Sequence, residues 1–117
     1  MIKNNQFFMN SFSSVVIFGQ PQNEIIQVNK RLKLSTMVIT SEDQSKNMNK
    51  KFIYFKVFNS IDKKCIKFLK NKFNFKKTLF IGIGPRYIFK KETIKQFDNN
   101  FINIHNSRLP LDAGGGA

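Results

Sequence analysis

The sequence predicts an α/β domain built on a mostly parallel sheet with flanking helices. Two observations carry this expectation. Short apolar runs rich in Val, Ile and Phe recur along the chain, and helix-periodic segments separate them. Strands alternating with helices give a parallel sheet, because each parallel connection needs a crossover. The 117 residues suit one domain, since domains commonly hold about 100–150 residues, and 41% hydrophobic content supplies one core.

The elements follow in order. Ser14-Val15-Val16-Ile17-Phe18-Gly19 reads as a buried strand closed by glycine. Pro21 suits the first turn of a helix, where its missing N–H costs nothing. From Asn23 to Leu32, the apolar residues Ile25, Ile26, Val28 and Leu32 fit a short amphipathic helix. Thr36 to Thr40 is a second strand. Ser41 to Lys51 is polar and aperiodic and reads as a loop. Phe52 to Phe58 is a third strand, too apolar to leave one face fully in water. Asn59-Ser60 offers an N-cap, and Ile61, Cys65, Phe68, Leu69 and Phe73 follow at helical spacing. Thr78 to Ile83 is a fourth strand, Lys91 to Phe97 a short helix, Asp98 to Asn100 a turn, and Phe101 to His105 a fifth strand. The sum is a Rossmann-like sheet that the chain leaves incomplete at its C-terminal end.

The formal charge is +13, from 20 Lys and Arg against 7 Asp and Glu. Such a balance raises nucleic acid or an acidic surface as a partner. Only 3 of the 20 basic residues are Arg, the residue suited to bidentate phosphate contacts. Lys, Asn, Ile and Phe fill half the chain, the skew that AT-rich coding imposes on any protein. Composition therefore accounts for the charge better than nucleic-acid binding does. Lys63, Lys64, Lys67, Lys70, Lys72, Lys76 and Lys77 cluster around the second long helix. They read first as a solvated face, and second as a patch for tRNA or a phosphorylated substrate.

Cys65 is the single cysteine, so no internal disulfide or Cys-rich metal site forms within the chain. No apolar run approaches the roughly 20 residues needed to cross a bilayer, and Met1 to Ser14 lacks the pattern of a secretory signal. The expectation is a cytoplasmic protein without membrane partners.

The fifth strand carries the chemistry. Side chains two apart share a face of a strand, so Asn103 and His105, with Ser107 beyond, point one way while Ile102 and Ile104 fill the other side. A carboxamide N–H can stabilise an oxyanion, and an imidazole can relay a proton near neutral pH. On spacing alone, a lone strand histidine reads first as structural. The segment Asn103-x-His105-x-Ser107-x-Leu109-Pro110, followed by Gly114, resembles the signature of the 10-formyltetrahydrofolate-dependent formyltransferases. That family includes methionyl-tRNA, glycinamide-ribonucleotide and nucleotide-sugar formyltransferases. Gly82-Ile83-Gly84-Pro85-Arg86-Tyr87-Ile88-Phe89 is similar to the family's segment before the catalytic strand. Gly82-x-Gly84 alone suggests a dinucleotide loop, but Tyr87 stands where a third glycine is required and no helix starts there.

The resemblance covers residues 82 to 116 specifically and the rest loosely. It implies that residues 1–117 are part of a formyltransferase catalytic domain. It implies Asn103 and His105 as catalytic residues, and Gly84, Pro85, Arg86, Tyr87 and Ile88 as the border of the pterin pocket. Ser107, Leu109, Pro110 and Gly114 would shape the following loop. The co-substrate would be 10-formyltetrahydrofolate, without a metal, and the acceptor a small-molecule or tRNA-borne amine. The chain departs from the pattern at Arg108, where an apolar residue is usual, and at Ala113, where a basic one is frequent. The family's third catalytic residue, an aspartate, falls beyond Ala117, and Asp112 matches no catalytic position. The 117-residue chain is therefore expected to be inactive and prone to aggregate by itself. The other class of function is a non-catalytic basic α/β module that binds RNA or an acidic partner.

Overall fold

A computed structural model describes residues 12–21, 23–46, 55–83 and 87–104. Its strands are β1 (Ser14–Gly19), β2 (Ser35–Thr40), β3 (Phe55–Val57), β4 (Thr78–Ile83) and β5 (Phe101–Ile104). Its helices are α1 (Asn23–Arg31), α2 (Glu42–Ser45), α3 (Lys63–Lys72) and α4 (Lys91–Lys95), with a 3₁₀ turn at Phe75–Lys77. The strands form one sheet in the order β3-β2-β1-β4-β5, and every pair is parallel. The chain thus winds outward from β1 to β3, then returns to the other side of β1. That reversal creates a switch point between β1 and β4, where open α/β sheets leave a crevice at the carboxyl ends of their strands.

The two faces of the sheet are built from alternate residues. Val16, Phe18, Met37, Ile39 and Phe80 pack with Cys65, Ile66 and Leu69 of α3 and with Phe97. Val15, Ile17, Val38 and Ile83 pack with Ile26 of α1 on the opposite face. The first face is aromatic: Phe18, Phe80 and Phe97 are fully buried. Phe80 and Phe97 stack with centroids 4.4 Å apart, and Phe18 lies 5.5 Å from Phe97. Phe97 reaches this position from a turn rather than a helix. The segment expected to be helical through Phe97 ends at Lys95, and Asp98 and Asn99 then take φ of 59° and 62°, a left-handed geometry that Asn and Asp tolerate.

Several local expectations are corrected. α1 starts at Asn23 as expected but ends at Arg31, and Val28 and Leu32, expected on its apolar stripe, are exposed, since its buried residues are Ile26 and Asn29. Within the expected loop, Glu42–Ser45 forms one helical turn, because the Ser41 hydroxyl accepts the Gln44 N–H at 3.3 Å. Among the described residues β3 is short and lies at the sheet's edge, so Lys56 and Val57 are exposed rather than covered on both faces; residues 52–54 lie outside the described residues. The N-cap of α3 is Asp62, not Asn59 or Ser60. Its carboxylate accepts the Cys65 N–H at 3.1 Å, and that bond holds the Asp62 carboxyl below its usual pKa. Asn59 instead accepts the Glu42 N–H at 2.9 Å, joining the end of β3 to α2.

Ile102 and Ile104 do not fill a core. They are 38% and 44% exposed, beside Ile81 and Ile83 in the β4–β5 register. Apolar side chains on an outer strand invite association between sheets. Replacing both with lysine is expected to shift the chain toward monomer at concentrations where the parent self-associates. Light scattering after size exclusion checks this, and an unchanged mass distribution would count against it.

Candidate functional site

The candidate site lies at the carboxyl ends of β1, β4 and β5, where the sheet's winding reverses. β1 ends in Gly19, buried and at φ 121°, a conformation that favours glycine. The next N–H, of Gln20, donates to the Ile83 carbonyl at 3.1 Å, which holds the two strand ends together. Gly82 lies between Phe18 on one side and Asn103 on the other in the strand register. All three share the aromatic face, because Phe80 and Phe101 fill the preceding same-face positions. A side chain at position 82 would crowd the space beside Asn103, so glycine leaves room there. Asn103 is exposed at the carboxyl end of β5.

Tyr87 closes this region from above. Its ring meets Phe18 edge-on, with centroids 6.3 Å apart and planes at 83°. Its hydroxyl donates to the Phe58 carbonyl at 2.6 Å, tying the segment after β4 to the exit of β3. The Tyr87 hydroxyl is thus engaged and the residue is 9% exposed, while it still lines a groove beside Ile88. Ile88, by contrast, is 85% exposed and lines a groove of about 920 Å³ between α3 and the segment leading into α4. Asn103 is not among the described residues that line that groove. His105, Gly84, Pro85, Arg86, Ser107, Leu109, Pro110 and Gly114 lie outside the described residues.

Sequence reading missed the groove's far wall. Lys63, Lys67 and Lys70 were visible as part of a basic run, but Lys90, Thr93 and Gln96 join them only through the fold. Among the described residues no cluster of three or more His, Cys, Asp and Glu could hold a metal ion, and no helix is long and apolar enough to cross a membrane.

Beneath the groove, Cys65 is fully buried. Burial, and then the Asp62 carboxylate, pushes its thiol from 9.0 up to about 12. Burial and Cys65 likewise raise the Tyr87 phenol above its ordinary 10.0. Both groups hold their protons in the folded state: the stability from Cys65 is present below pH 9.0 and is lost as pH rises toward 12, and that from Tyr87 is present below pH 10.0 and is lost as pH rises above it. Urea midpoints are expected to fall above pH 9, with Cys65 alone contributing about 1.4 kcal/mol per pH unit. A Cys65→Ala variant should show a shallower decline, and a flat profile for the parent would contradict this.

No protein-family model, curated protein or solved structure matches the chain. The parallel sheet with its switch point defines the class as a Rossmann-like α/β domain.

Proposed function

We propose that the chain belongs to a one-carbon transferase that moves a formyl group from 10-formyltetrahydrofolate to a primary amine. The observation that carries this reading is an exposed carboxamide, Asn103, at the carboxyl end of a parallel strand beside a glycine, with His105 two residues on. The likeness of residues 103–114 to the formyltransferase signature supports it.

10-Formyltetrahydrofolate would supply an activated formyl carbon. The acceptor amine attacks that carbon, a tetrahedral oxyanion forms, and the C–N bond to the folate breaks as a proton passes from the amine to the departing nitrogen. Asn103 donates its side-chain N–H to the oxyanion, where a fixed donor is worth more than water. His105 provides a second donor and relays the proton. Ile88, exposed on the segment after β4, offers apolar surface to a pterin.

Titration calorimetry with 5-formyltetrahydrofolate, a stable analogue, tests the reading. Saturable binding weakened about tenfold or more by Ile88→Glu is expected. Binding of NAD in preference to any folate would replace this reading with a dinucleotide site.

A further inference from the structure

We infer that the groove between α3 and the Ile88–Gln96 segment is a binding site for a compact polyanion bearing two or more phosphate groups. Lys63, Lys67 and Lys70 recur at i, i+4 and i+7, so they form one row along α3. Their row spans about 10 Å at the helical rise of about 1.5 Å per residue. Lys90 faces them from the opposite wall. Cations on two walls of one cavity enclose an anion rather than merely attract it.

The groove's volume of about 920 Å³ is large enough for a nucleotide-sized ligand. Among the described lining residues Asp62 is the one carboxylate. That carboxylate is occupied by the Cys65 N–H at 3.1 Å and the Ser60 hydroxyl at 3.4 Å, so it is held at the helix start. Lys63, Lys67, Lys70 and Lys90 are all exposed; the Lys70 ammonium lies 6.0 Å over the Phe75 ring, a weak surface contact that a phosphate would outcompete. Lysine binds phosphate as a mobile point charge, and bonds between two ionised groups are stronger than neutral ones. The floor is apolar, with Ile66 buried and Ile88 at the rim, so the uncharged part of a phosphorylated molecule has surface to cover.

A nucleic-acid strand is the less suited occupant. A strand would follow the whole basic run, including Lys76 and Lys77, whereas these two do not line the groove. The inference holds whether or not the chain transfers formyl groups, because Asn103 is not among the described residues that line this cavity.

The test is calorimetric titration of the full chain with inorganic triphosphate at fixed ionic strength. Saturable one-to-one binding is expected. The pair Lys63→Gln and Lys67→Gln should weaken it roughly tenfold or more, and Lys90→Gln alone about threefold. The pair Lys76→Gln and Lys77→Gln should leave it within about twofold, since these side chains stand outside the groove. Thermal melts of all variants should superimpose, because every substituted side chain is exposed. Absence of saturable binding would overturn the inference. Equal losses from both lysine pairs would also overturn it, as would tighter binding of single-stranded RNA lost equally from both pairs.

Discussion

Phe18→Ala is expected to destabilise the fold by about 3–5 kcal/mol, the range for emptying a fully buried aromatic site. Phe18 is 0% exposed and contacts the rings of Phe80, Tyr87, Phe89, Phe97 and Phe101. Among the described residues Phe97 reaches as many separate segments, through Phe18, Phe75, Phe80 and Phe101, but Phe18 does so from the central strand β1. Small domains are stable by about 5–15 kcal/mol, so the loss is a large share of the total. The melting temperature should drop by at least about 10 °C. Removing the ring also withdraws the surface against which Tyr87 packs, so the Tyr87 to Phe58 tie should loosen with it. Ile88→Ala makes the matched control: at 85% exposure it should change stability by less than about 0.5 kcal/mol. A Phe18→Ala protein that melts with the parent would show that the aromatic face is not the principal core.

The contrast between these two positions also shows what the sequence could reveal. β1 and β4 are legible residue by residue, since Val15 to Phe18 is apolar throughout and Leu79 to Ile83 is so apart from Gly82, and a central parallel strand is covered on both faces. β3 is less so, because Phe55-Lys56-Val57 has the residues of a buried strand but the position of an edge. Sequence reading places the start of α3 too early, at Asn59-Ser60: the cap is Asp62, while Asn59 is engaged with Glu42, 17 residues away, a pairing with no local signal. At the candidate site, Asn103 stands at the strand end that the alternation predicts. The engagement of Tyr87 with Phe58, 29 residues away, has no local signal. Lys90 likewise joins Lys63, Lys67 and Lys70 through tertiary structure, which periodicity within one helix cannot show.

The second large effect concerns chemistry. In a version of the protein extended beyond Ala117 to supply the aspartate that the family resemblance implies, Asn103→Ala is expected to lower turnover on the order of 100-fold or more. That is the cost of removing one oxyanion donor elsewhere, about 2.7–4 kcal/mol of transition-state stabilisation. The loss should fall on kcat more than on KM, because the oxyanion exists only after attack. The fold should survive, since Asn103 is exposed and the strand's anchoring ring is Phe101. Asn103→Asp should be no better than alanine, because a carboxylate offers no N–H and repels the developing charge.

The most direct measurement is therefore tetrahydrofolate release from 10-formyltetrahydrofolate in the presence of a primary amine, followed in that extended protein with Asn103 intact and replaced by alanine. Amine-dependent release is expected, falling on the order of 100-fold in the Asn103→Ala protein while its melting temperature is unchanged. Release equal in the two proteins, or no amine-dependent release from a folded protein that contains the aspartate, would contradict it.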